Sequence, residues 1–133
     1  MRRVLLVEDS ASMRAFVRAA LTAASALGEL EIAEAQSGFD ALRLLPRGAW
    51  DLVITDINMP DINGLELISF IKKSEAHKST PILIISTASS ERDRDRGLSL
   101  GASGYLVKPF TAEALVKQVR EQMGAEPGSG AHA

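Results

Sequence analysis

Asp51-Leu52-Val53-Ile54-Thr55-Asp56-Ile57-Asn58-Met59-Pro60 carries a continuous apolar run into an aspartate and then a turn. A run without polar alternation suits a strand covered on both faces, which is the situation of a central strand in a parallel sheet. Three further runs read the same way: Val4 to Val7, Ile82 to Ile85, and Tyr105-Leu106-Val107. A weaker one, Leu30-Glu31-Ile32-Ala33, alternates and suits a strand nearer a sheet edge.

Helical patterns lie between these runs. Met13, Phe16, Val17, Ala20, Leu21 and Ala24 share one face at three-and-four spacing, and Ala112, Leu115, Val116, Val119 and Met123 repeat it, with Thr111 placed to cap the start. Ser37 before Asp40, and Ser90 before Asp93, resemble reciprocal caps with Asp in place of the usual Glu or Gln. Gly64 to Lys72 supplies another helix, and Glu91 to Leu100 a fourth in chain order, poor in apolar residues and interrupted by Gly97. Strand and helix thus alternate five times, the signature of a parallel α/β sheet with helices on both faces.

A chain of 133 residues has room for one domain. With 46% hydrophobic and 24% charged residues it has the balance of a soluble globular domain. A net charge of −2 gives no basic field for nucleic acid, so no direct nucleic-acid partner is expected. The absence of cysteine excludes disulfides and thiolate metal sites. No apolar run approaches the ~20 residues of a membrane span, and the Val4–Val7 run is too short for a signal-peptide core; no membrane is expected, and the expected location is the cytoplasm. Residues 1–124 read as the domain, and 125–133, rich in small residues, as a flexible tail or the start of a linker.

In a doubly wound sheet the functional crevice lies at the carboxyl ends of the strands. Here those ends carry Glu8-Asp9, Asp56, Ser86 and Lys108. Each alone reads blandly: an acidic pair at a helix start, a turn aspartate, a solvated lysine. Gathered at one edge, the carboxylates repel one another and call for a counter-charge, which Mg²⁺ or Mn²⁺ supplies through hard oxygen ligands. An acyl phosphate on Asp56 would then share its oxygens among the cation, Lys108 and the Ser86 hydroxyl.

Three segments together resemble the receiver domains of two-component signalling, over about Val4 to Met123. Val4 to Ser10 is similar to the family's first strand and acidic pair, Asp51 to Pro60 with Gly64 to its phosphoacceptor segment, and Gly101 to Phe110 to its fifth strand with lysine and proline. The resemblance implies a flavodoxin-like, doubly wound five-stranded sheet of order 2-1-3-4-5 with five helices, an arrangement for which a chemotaxis receiver is itself a standard example. It also implies a cis Lys108-Pro109 bond. Asp56 would be the phosphorylation site, Asp9 a metal ligand, Glu8 an outer carboxylate acting through water, and Asn58 a ligand through its backbone carbonyl. Ser86 and Lys108 would contact the phosphoryl oxygens. Ser86 and Tyr105 would form the switch, relaying to a protein target at the fourth helix, fifth strand and fifth helix. The phosphodonor would be a histidine kinase or phosphotransfer protein. The domain would be a stand-alone switch rather than an enzyme, catalysing only its own phosphorylation and dephosphorylation.

Two positions depart from the family's commonest pattern. Thr87 stands where a small alanine is usual and brings bulk beside the site, and Ala88 stands where fast-cycling members have a longer polar side chain. Competing functions fit less well. A phosphatase of the haloacid-dehalogenase class resembles Asp-x-Asp after its first strand, whereas this chain has Glu8-Asp9-Ser10. A nucleotide or flavin binder needs a phosphate-cradling loop, and Asp9 to Arg14 contains no glycine. Receivers used only for docking often lose an acidic, aspartate or lysine position, and none is lost here.

Overall fold

The computed structural model describes residues 1–87 and 91–124. The expected cap at Ser90, the departure at Ala88 and the 125–133 tail lie outside the described residues. The elements are β1 (Arg2–Val7), α1 (Ala11–Ala23), β2 (Leu30–Ala35), α2 (Gly38–Leu44), β3 (Leu52–Thr55), α3 (Gly64–Lys73), β4 (Ile82–Ser86), α4 (Glu91–Leu100), β5 (Gly104–Val107) and α5 (Ala112–Met123). Single 3₁₀ turns at Ser25–Leu27 and Leu45–Arg47 follow α1 and α2. All strand pairings are parallel, in the order β2-β1-β3-β4-β5. No described helix is long and apolar enough to cross a membrane.

Strand periodicity explains the continuous apolar runs. Successive side chains point to opposite faces, so β1 sends Val4 and Leu6 to a core with Val17, Leu21, Leu115 and Val119 of α1 and α5. Leu5 and Val7 go to a second core with Ala41 of α2 and Leu67, Ile68 and Ile71 of α3. β3 and β4 divide likewise, Leu52, Ile54, Leu83 and Ile85 to the first core and Val53, Ile82 and Ile84 to the second.

β5 does not match the expectation of a buried strand. It pairs with β4 alone at the end of the sheet, its residues are partly exposed, and Val107 is 47% exposed. An apolar run reports the polarity of faces, not whether a neighbouring strand lies on both sides. The face expected for α1 also needs amendment: Val17 and Leu21 are buried, whereas Phe16 stays 39% exposed and packs on Phe110 with ring centroids 5.9 Å apart.

Caps fix the helix starts. Ser37 caps α2 and Thr111 caps α5, each side-chain oxygen accepting a backbone N–H three residues on. The reciprocal half of the α2 cap falls one residue early, the Asp40 carboxylate accepting from the N–H of Gln36 at 3.1 Å. α3 has a complete capping box of Asn63 and Glu66. Gly97 is the buried residue of α4, and a Cβ there would overlap Ile84 Cδ1. This glycine therefore sets the close approach of helix to sheet rather than merely weakening the helix. At the opposite edge of the sequence, the buried Arg2 guanidinium donates to the Leu27 carbonyl at 3.1 Å and to those of Met123 and Gly124 at 3.4 and 3.1 Å, joining β1 to the end of α5.

Candidate functional site

The carboxyl ends of β1, β3 and β5 meet at a single cluster. Lys108, just beyond β5, donates from Nζ to Glu8 Oε1 at 2.7 Å and to Asp56 Oδ2 at 2.9 Å. Its side chain is 11% exposed, and those of Glu8 and Asp56 are 1% and 9% exposed. The second oxygen of Glu8 accepts from the N–H of Ser10 at 2.9 Å, and Asp56 Oδ1 accepts from those of Ile57 and Asn58 at 2.6 and 3.2 Å. Every acceptor is thus held by a donor aimed from the strand end or the following loop.

Asp9 completes the cluster from the solvent side: one oxygen from each of Glu8, Asp9 and Asp56 lies within 4.8 Å of the others. Burial raises the Glu8 carboxyl above its ordinary value, the Lys108 bond opposing but not cancelling it. Burial acts to lower Lys108, but its bonds to Glu8 and Asp56 outweigh that and hold the ammonium above its usual range. The lysine is therefore a fixed cation among carboxylates that exceed it in number. Three carboxylates offering hard oxygen atoms, one of them open to solvent, are the donor set that Mg²⁺ or Mn²⁺ favours.

Two glycines and an arginine shape the surroundings. A Cβ on Gly64 would overlap the Asp56 carbonyl, and its N–H donates to the Ile57 carbonyl at 2.7 Å, so α3 begins directly against the end of β3. Gly38 allows the start of α2 equally close to Ile62. Arg14 of α1 donates to the Glu8 carbonyl at 2.7 Å and to Glu34 at 3.1 Å, bracing the acidic turn against β2. Sequence reading passed over Arg14, and also over Asn63 and Glu66, although Asn63-x-x-Glu66 is a legible capping signal.

Ser86 is fully buried at the end of β4, and Thr87 after it is exposed. Tyr105 is half-buried against the α2 and α3 side of the core, in register with Ile84, the residue that meets Gly97 of α4. Ser86 lies two residues beyond Ile84 and so on the same face of the sheet. The Lys108-Pro109 bond is cis.

Comparison with known proteins agrees with this geometry. The response regulator receiver domain family matches residues 4–120. A chemotaxis protein CheY homolog of Campylobacter jejuni is 33% identical over 130 residues, covering 97% of this chain and 98% of that protein. The chemotaxis response regulator CheY4 of Vibrio cholerae superposes with a TM-score of 0.83 at 34% identity, over 92% of this chain and 98% of that one. The Mn²⁺-bound form of the response regulator Rcp1 gives 0.78 at 25%, over 91% of each chain. With its family match, its strand order and a lysine-bridged acidic cluster at the strand ends, the chain belongs to the response regulator receiver domains, the phosphorylation-dependent signalling switches.

Proposed function

We propose that the switch acts through Asp56, which accepts a phosphoryl group from a histidine kinase or phosphotransfer protein. The observation that carries this reading is the Lys108 ammonium bonded to both Glu8 and Asp56 inside a cluster whose outer member, Asp9, faces solvent. A carboxylate oxygen of Asp56 attacks phosphorus as the donor's P–N bond breaks and the departing imidazole keeps the electron pair and takes up a proton. Lys108 and the Ser86 hydroxyl then bind the phosphoryl oxygens, a positioning and charge-stabilising role. Asp9, Asp56 and the Asn58 carbonyl would hold Mg²⁺ or Mn²⁺, with Glu8 acting through water. The cation would neutralise charge on the transferred group. The similar regulator Rcp1 is known in a Mn²⁺-bound form, which supports this assignment. The domain catalyses its own phosphorylation and dephosphorylation and turns over no separate substrate.

The output surface is α4, β5 and α5. Support comes from the shared sheet face of Ser86, Tyr105 and the Gly97 contact of α4, so that movement of the hydroxyl toward a phosphoryl group opens space beside a helix that buries no large side chain. The direct test of the acceptor is intact-mass spectrometry with acetyl phosphate. One added phosphoryl group is expected with Mg²⁺ or Mn²⁺ and none with excess chelator or in Asp56→Asn; normal labelling of Asp56→Asn overturns the assignment.

A further inference from the structure

The loop between β3 and α3 carries Asn58, whose backbone carbonyl the reading above assigns to the cation, and this inference rests on that reading. Its base is closed by the Gly64 N–H on the Ile57 carbonyl at 2.7 Å. Its middle is exposed at Asn58, Pro60 and Asp61. On the β3 side the Asn58 N–H also bonds Asp56 Oδ1 at 3.2 Å; bonds on that side alone leave the far side of the loop untied, whereas a metal ligand needs a fixed direction. The Asp61 carboxylate provides a second attachment. One oxygen accepts from the N–H of Gly38 at 3.0 Å and the other from that of Phe39 at 2.9 Å. Desolvation acts to raise this carboxyl, but those bonds outweigh it and bring it to about 2, so the group is ionised at any pH at which the protein works. Directly beside it, a Cβ on Gly38 would lie 2.7 Å from Ile62 Cβ and 2.8 Å from its carbonyl oxygen, leaving the loop no slack against α2.

We propose that Asp61 is a positioning residue of the phosphorylation site, fastening the β3–α3 loop to the first N–H groups of α2 and so holding the Asn58 carbonyl toward the cation. Asp61 touches neither the phosphoryl group nor the cation; it acts through the loop. Residues that orient a metal ligand typically change affinity 10- to 100-fold when lost, and a tether three residues away belongs at the lower end.

Mn²⁺ binding by isothermal titration calorimetry, with thermal unfolding as a fold check, tests this on the unchanged protein, Asp61→Ala, Asp61→Asn and Asp9→Asn. Asp61→Ala should bind Mn²⁺ about tenfold more weakly while remaining folded. Asp61→Asn keeps one acceptor oxygen for one of the two α2 N–H groups and sets its amide NH₂ against the other, so with half the tether and no charge it should bind more tightly than Asp61→Ala and more weakly than the unchanged protein. Unchanged affinity in Asp61→Ala overturns the proposal, as does an Asp61→Asn as weak as Asp61→Ala, which would mark a purely electrostatic effect. Failure of the underlying site is seen separately, as Mn²⁺ binding that is absent from the unchanged protein or undiminished in Asp9→Asn.

Discussion

Lys108 is one cation shared by two nearly buried carboxylates, and the energetic balance follows from that count. Removing one partner of a buried ion pair leaves the other charge uncompensated, which costs about 3–5 kcal/mol. Lys108→Met should therefore lose about 3 kcal/mol of stability in metal-free buffer and regain more of it on adding Mg²⁺ than the unchanged protein gains. Urea unfolding with and without Mg²⁺ measures both quantities, and an equal Mg²⁺ effect in the two proteins would contradict the counter-charge account. At this scale the sequence was legible where side chains carry the chemistry. Glu8, Asp9, Asp56 and Lys108 converge as their strand-end positions implied. Asp61 was illegible because its partners are the backbone N–H groups of residues 22 and 23 positions away, which no residue type announces.

Among the elements, α4 and β5 are where pattern and structure part. β3 reads correctly because both its faces are buried and it has a neighbouring strand on each side. β5 has the same kind of composition but only one neighbour, and hydrogen bonding to a second strand leaves no trace in apolar content. In α4, Gly97 looks from sequence like a weak point, yet its missing Cβ is what lets the helix rest on Ile84. Gly97→Ala sets two effects against each other: a helix-propensity gain of up to about 1 kcal/mol and overpacking against a fully buried isoleucine, which costs about 1–3 kcal/mol. The clash should win, because Ile84 is fully buried and its Cδ1 can turn away only by moving within the core, and a net loss of about 1 kcal/mol is expected with faster amide exchange along α4. A variant more stable than the unchanged protein would show that α4 already stands off the sheet.

Across the whole molecule, the two cores divide the labour. The core under α2, α3 and α4 includes Ile84 and supports Tyr105, whereas that under α1 and α5 is closed by Leu115 and Val119. Beryllofluoride, an acyl-phosphate mimic, should change amide exchange in α4 and around Tyr105 in a Ser86-dependent manner, and leave the interior of the α1–α5 core unaltered. Changes restricted to the loops around Asp56, or persisting in full in Ser86→Ala, would sever the switch from α4. The bond network of Arg2 adds a temporal dimension to this architecture. Its guanidinium in the first strand meets the carbonyls of Met123 and Gly124, 121 and 122 residues further along. During synthesis on the ribosome its bond to the Leu27 carbonyl can form early, but those two must wait until almost all of the domain has been made. The core beneath α1 meanwhile lacks Leu115 and Val119, so a nascent chain stopped before α5 has that face of the sheet covered by α1 alone, and its uncovered apolar part is exposed to chaperones and proteases until the last helix arrives.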